Sequence, residues 1–330
     1  MADSSSFAPP GESSLDLWIE RSNLNGVLLS AVAYGILFTL TFQTLLIFLQ
    51  LPRAKIPWGF VGYICAMFIL ASLGFGGNAK FNQMTFIDDR NIPGGPNAFT
   101  VEFYSTWVNM MSFAAYVLMS WLADGLVLWR FTLIWGWNYW ISFFPTLIYL
   151  GAVGSSIALM RAIMSSTDLT FWGVKSVQFS IAYWSLSISL NVILTLAIAC
   201  RIWLVRRRTR QSLGFQHSGQ YVSVSAMLVE SAALYSTWGL VFLICYARNT
   251  PLQNILLPPL GQVQGIAPVL ILFRVAQGRA WSESTAANAT SRYNNRSIPL
   301  TTLTSGESRG DDQLKISMTT VTSQWEGDKV

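Results

Sequence analysis

The chain has 330 residues, 52% of them hydrophobic and only 11% charged. A soluble protein carries about 25% charged residues, so a soluble enzyme or a chain of soluble domains is excluded as its main body. The net charge of +5 does not indicate nucleic-acid binding. The basic residues cluster at the ends of apolar runs, where the positive-inside rule and anionic lipid headgroups place them.

Residues 1–24 read as an external polar tail. Met1 to Glu20 holds Asp3, Glu12, Asp16 and Glu20 with no basic residue, so it lacks the positive start of a secretory signal. The first predicted span, 26–49, carries no charge. At ~1.5 Å per residue it covers a hydrocarbon core of roughly 30 Å. Pro52, Arg53, Lys55 and Pro57 close a short turn before the second span, 58–76. Residues 77–100 read as a long loop, with turn signals through Asp88-Asp89-Arg90-Asn91-Ile92-Pro93-Gly94-Gly95-Pro96. The third span is 102–131. Trp135, Trp137, Tyr139 and Trp140 follow as an aromatic turn suited to the headgroup level. The remaining spans are 140–162, 174–203, 221–247 and 254–276, the last with Pro268 as a kink. Residues 282–330 are rich in Ser and Thr and too polar to bury a core, so they read as a disordered tail.

These readings describe an all-α protein, a seven-transmembrane-helix bundle. Placing the first inter-helix loop in the cytosol puts Arg53, Lys55, Arg130, Arg201, the arginines at 206, 207, 208 and 210, Arg274 and Arg279 on that side. Arg21, Lys80, Arg90, Arg161, Lys175 and Arg248 are left outside. The heavier cluster belongs inside, so the N-terminus is outside and the C-terminus cytosolic. The sequons at Asn288 and Asn295 then face the cytosol and stay unmodified. Of the three cysteines, Cys65, Cys200 and Cys245, Cys200 lies at a cytosolic helix end where palmitoylation is open to it.

Polar groups inside the spans carry the functional information. Asp124 and Glu230 are acids in hydrocarbon, each costing about 2.5–3.5 kcal/mol there unless it meets a partner or a wet cavity. Both fall toward the cytosolic half, within reach of a polar cluster with Arg130 or Arg201. One reading is a two-state lock between helices; the other is a static pair that fixes packing. In the fifth span Ser180, Trp184, Ser187, Asn191 and Thr195 share one helix face. They suit helix–helix hydrogen bonds or a ligand or water cavity. Thr39 and Gln43 admit the same two readings. The loop with Asp88, Asp89 and Arg90 is placed to cap an external vestibule. The basic 204–220 loop and the tail are placed to meet membrane lipids and a cytosolic signalling partner.

Several functions lack their chemistry. His217 is the one histidine, so histidine-based metal sites and a histidine-bound zinc hydrolase have no material. No Ser-His-Asp set falls within the spans, and no phosphate loop is present. No lysine lies in the seventh span, which excludes a retinal Schiff base. Nothing in the sequence calls for a cofactor. The third span ends Ala123-Asp124-Gly125-Leu126-Val127-Leu128-Trp129-Arg130, not in the Asp-Arg-Tyr of rhodopsin-like receptors, and the seventh lacks Asn-Pro-x-x-Tyr.

The run Leu122 to Arg130 with its aromatic turn, together with Asp88 to Pro96, resembles a large group of seven-helix membrane proteins from mushroom-forming (basidiomycete) fungi. So do Leu228-Val229-Glu230-Ser231-Ala232-Ala233-Leu234-Tyr235-Ser236 and Leu260-Gly261-Gln262-Val263-Gln264-Gly265-Ile266-Ala267-Pro268. The resemblance covers about residues 25–282. It implies the seven-helix topology and adds weight to Asp124 and Glu230, but it implies no activity. Taken together, the expectation is a receptor-like sensor with no enzymatic activity, in the plasma membrane. A transporter or channel using Asp124 and Glu230, or a structural membrane protein, are the alternatives.

Overall fold

The computed structural model describes the backbone of residues 13–165, 174–213 and 219–294, and side chains over 13–164, 176–204, 207 and 233–278. Among the described residues eight α-helices run in order: α1 (Ser14–Leu49), α2 (Trp58–Gln83), α3 (Gly95–Glu102), α4 (Trp107–Ile134), α5 (Tyr139–Ser165), α6 (Val174–Leu213), α7 (Gly219–Ala247) and α8 (Leu252–Asn294). Among the described residues there is no strand. Six helices, α1, α2, α4, α5, α6 and α8, are long and apolar enough to cross a membrane. α7 has 29 residues, and the apolar part of it that is described is Ala233–Ala247.

The polarity of the helices is inverted relative to a soluble bundle. In α1 the buried positions are Ser22, Gly26, Ser30, Ala33, Leu37, Thr41, Thr44 and Phe48, small or hydroxyl-bearing for the most part. Leu28, Val32, Ile36 and Phe42 point outward. The outer faces of α5 are barer still: Trp140 is 91% exposed and Phe143 69%. Exposed apolar surface on this scale needs lipid or a partner to cover it, and small inward residues are what membrane helices use to approach one another.

Several boundaries differ from the sequence reading. α1 begins at Ser14, within the stretch expected to be a polar tail. A capping box explains this start. The Ser13 hydroxyl accepts the Asp16 N–H at 3.2 Å and the Asp16 carboxylate accepts the Ser13 N–H at 3.0 Å, which satisfies donors that a helix start leaves open. The expected loop 77–100 is largely helical. α2 continues through its glycines to Gln83, then widens into a π-helical turn, Met84–Asp88. Gly94 and Gly95, at φ 90° and 69°, reverse the chain into α3. The third span therefore starts at Trp107 rather than at 102. The expected 204–220 loop is helical up to Leu213 and again from Gly219. Residues 1–284 form one compact unit and 285–330 a second. Of the second, residues 285–294 are described, and they are helical where disorder was expected. Ala286, Ala287 and Ala289 favour that state. Residues 295–330, including the sequon at Asn295, lie outside the described residues.

α8 is the central post. Across its apolar stretch 72% of residues are buried, against 22% in α2 and in α5. It carries Pro258, Pro259 and Pro268. Each lacks an N–H and leaves the carbonyl four residues earlier without its helical donor. The Asn254 carbonyl freed by Pro258 lies directly against Gly26 of α1, where only hydrogen fits. Neighbours bond to this part of α8: Ser30 Oγ donates to Pro258 O at 3.2 Å, and Trp238 Nε1 to Leu256 O at 3.0 Å. Lower down, Tyr116 of α4 is wedged between two glycines. A Cβ on Gly74 of α2 would sit 2.7 Å from its ring, and one on Gly261 of α8 2.5 Å away.

We expect Gly261→Val to expel the Tyr116 ring and to lower stability by about 1–3 kcal/mol, the range for overpacked interiors. Thermal unfolding in detergent measures it. The same change in a Tyr116→Ala background costs less, since the space is already open.

Candidate functional site

Midway along the bundle α4, α6 and α7 meet at one carboxylate. Asp124 is 4% exposed. Its Oδ2 accepts from Ser187 Oγ of α6 at 2.7 Å, and Ser187 Oγ lies 2.9 Å from the Tyr235 hydroxyl of α7. Ser187 has a single proton and gives it to the carboxylate, so Tyr235 is the donor in the second bond. The result is a directed chain, Tyr235 to Ser187 to Asp124, that ties three helices to one charge.

The backbone beneath Asp124 is held from two sides. Tyr63 of α2 donates to Leu122 O at 3.1 Å, and Tyr149 of α5 donates to Trp121 O at 3.2 Å. The latter hydroxyl lies 3.5 Å from where a Cβ on Gly125 would stand, an ordinary contact distance.

A cavity of about 20 Å³ opens beside the carboxylate, lined by Asp124, Arg130, Asn191, Thr195, Gln264 and Pro268 among others. It has room for roughly one water. Asn191 Oδ1 is buried without a hydrogen-bond partner. The structure thus brings together three of the sequence-predicted residues: Asp124, Arg130 and Asn191. Among the described residues no ion pair joins Asp124 to Arg130. Six residues apart, their side chains leave α4 about 120° apart in azimuth, so they meet across the cavity rather than in contact. Arg201 does not join the cluster. Its guanidinium stacks over Trp135 at 5.1 Å. The side chain of Glu230 lies outside the described residues. Asp88 pairs with Lys80 at 2.9 Å at the other end of α2, and Asp89 and Arg90 are exposed in the turn that follows.

The α6 stripe is inward throughout: Ser180, Trp184, Ser187, Asn191 and Thr195 are all buried. Both readings of it apply, since Ser187 bonds between helices while Asn191 and Thr195 line the cavity. Thr39 and Gln43 serve neither purpose. Both are exposed, and Thr39 bonds back to Gly35 O of its own helix at 2.9 Å.

A second stripe went unread in the sequence. Asn109, Ser112, Tyr116, Ser120 and Asp124 follow one face of α4 at spacings of three and four, and each has a partner. Asn109 Nδ2 donates to Tyr104 O at 2.7 Å and Ser112 Oγ to Gly74 O at 2.5 Å. Gln262 Nε2 donates to the Tyr116 hydroxyl at 3.0 Å, and Gln264 Nε2 to Ser120 Oγ at 2.5 Å. The helical spacing was the available signal, masked by the large apolar residues between the polar ones. Among the described residues no group of three or more His, Cys, Asp or Glu could hold a metal.

Ser187→Ala removes the donor that faces the buried carboxylate and leaves Tyr235 without its acceptor. We expect a loss of about 1–3 kcal/mol, larger than for Tyr235→Phe, which leaves the Ser187–Asp124 bond in place. Thermal unfolding in detergent checks the order. In an Asp124→Leu background the cost of Ser187→Ala shrinks, because the coupled partner is gone.

No family model matches the chain, and no curated protein or solved structure matches it significantly, so the reading of this centre rests on its own geometry.

Proposed function

We propose that the protein is a receptor-like sensor of the plasma membrane, crossing it seven times with α7 completing the set. The N-terminus is outside and the C-terminus cytosolic. The observation that carries the reading is the Asp124 centre. A buried carboxylate is held by a single hydroxyl from α6, beside a cavity that also contains Arg130 and the unpartnered oxygen of Asn191. A second arrangement is therefore close at hand, in which Asp124 turns from Ser187 toward Arg130. That exchange would release α6 and α7 from α4, the kind of bistable contact on which helix rearrangements turn.

The cytosolic end of α6 supports the same reading. Arg201 and Arg207 stack over Trp135 and Trp203, the second at 5.3 Å, and form part of a basic surface for anionic lipid and a signalling partner. Resemblance to the seven-helix proteins of mushroom-forming fungi supports the architecture. No catalytic role is assigned to any residue. A transporter reading draws on the same carboxylate, but a cavity for about one water suits a proton better than a solute.

An N-terminal epitope should label in intact cells and a C-terminal one only after permeabilisation; the reverse pattern sinks the orientation. With spin labels at Leu133 and Leu204, Asp124→Asn should move the distance distribution by on the order of 1–2 Å or more. An unchanged distribution makes Asp124 static packing. Proton flux in liposomes that Asp124→Asn abolishes would favour the transporter instead.

A further inference from the structure

At the end of the bundle that holds the start of α1, the helices part around a cleft of about 440 Å³. This lies within the roughly 300–1,000 Å³ of small-molecule sites. Its walls come from five places in the sequence: the first turns of α1, the end of α2 with its π-helical turn, α3, the start of α4, and the α7–α8 turn.

The lining is unusual in its chemistry. Asn78, Asn82 and Asn97 stand on one side, and Asn249, Gln253 and Asn254 on another. Asn23 and Asn109 complete the amide set. Four amide oxygens, on Asn78, Asn82, Asn97 and Gln253, are buried without a hydrogen-bond partner. Gln253 is itself only 5% exposed. In two of these the nitrogen is already committed. Asn97 Nδ2 donates to Asp16 O at 3.1 Å and Gln253 Nε2 donates to Asn249 Oδ1 at 3.3 Å. The oxygen is the group left over, and an unsatisfied buried acceptor costs about 1–3 kcal/mol. The last torsion of an amide side chain is soft, so a small rotation presents each oxygen to the cleft.

Such a site selects by hydrogen-bond donors. Among the described residues no basic side chain lines it, which disfavours anions. Among the described residues Asp16 is the one lining carboxylate; its Oδ2 takes both the Ser13 hydroxyl at 2.6 Å and the Ser13 N–H, so a cation meets one partly engaged carboxylate among eight neutral amides. An acyl chain would leave the four amide oxygens without partners, at a high desolvation cost. A neutral molecule dense in hydroxyls satisfies the leftover oxygens, and Phe81, Phe86 and Tyr104 offer apolar walls to its carbon faces. We infer that this cleft binds a neutral polyhydroxylated small molecule, a polyol or a mono- or disaccharide. The inference supplies a ligand class for the receptor-like reading and rests on that reading only for the side of the membrane.

The full chain in lipid nanodiscs is titrated with myo-inositol, glucose and trehalose, and with choline as the cationic probe, using saturation-transfer NMR. At least one of the three neutral probes should give a saturable signal, weakened at least about tenfold, or 1.4 kcal/mol, by Asn82→Leu and by Asn97→Leu. Asn82→Asp keeps the side-chain shape should the leucine variants unfold; it should weaken the neutral probe and improve choline. Asp124→Asn lies outside the cleft and should still give a saturable signal, at an affinity shifted by coupling through α4, whether or not the helices move, which separates failure of binding from failure of signalling. The proposal is overturned if none of the three gives a saturable signal, if none of the folded cleft variants alters it, or if choline binds the unmodified chain more tightly than they do.

Discussion

Helices in a hydrocarbon solvent gain nothing from hiding apolar side chains from one another, so they must hold together by close approach and by satisfying every inward polar group. This requirement shapes the whole bundle. α8 carries three prolines and hence carbonyls without helical donors, yet it is the most buried of the six long apolar helices. Gly26 lets α1 close on the freed Asn254 carbonyl, and Ser30 and Trp238 donate to Pro258 O and Leu256 O in the same turns, which anchors this stretch to its neighbours. The glycines around Tyr116 serve the same end. They admit a ring whose hydroxyl reaches Gln262, and Gln262 Nε2 in turn reaches Ala71 O at 3.3 Å.

The two polar centres differ in how they are built. The Asp124 centre is small, nearly dry and specified by bonds between side chains of known direction. The amide cleft is wide and under-satisfied, with acceptors in excess of donors. A protein interior seldom leaves buried acceptors unmet. Where several share one opening, the missing donors belong to something that comes and goes. The α4 stripe lies between the two centres: Asn109 lines the cleft and Asp124 lines the inner cavity.

Much of this was legible in the sequence. Charge-free runs of about twenty residues marked the long helices, and Asp124 stood out because acids in such runs are rare. Asn191 was found by its spacing from Ser187. What escaped notice has a physical explanation. Residues 77–100 read as a loop on their turn signals at 88–96, but Gly77 is a contact surface against α4 and Asn78, Asn82 and Asn97 are wall residues of the cleft. A start for α1 at Ser14 depends on the reciprocal Ser13–Asp16 bonds, which hydropathy does not register. The amide cleft is assembled from five separated segments, so no window of sequence contains it. Asp124 and Arg130 share one cavity, but six residues apart on α4 they leave the helix in different directions, so spacing alone did not show that the carboxylate would bond to Ser187 instead.

The polar face of α4 is not parallel to its axis. Fifteen residues separate Asn109 from Asp124, so the face winds by about 60° over roughly 22 Å. Its partners change accordingly, from Gly74 on α2, through Gln262 and Gln264 on α8, to Ser187 on α6. α4 is thus keyed into three neighbours at three heights, like a splined shaft. It cannot turn at one end while the other stays in register, because each key would have to disengage together. A rotation of α4 begun near the cleft would therefore have to carry the carboxylate midway along the bundle with it.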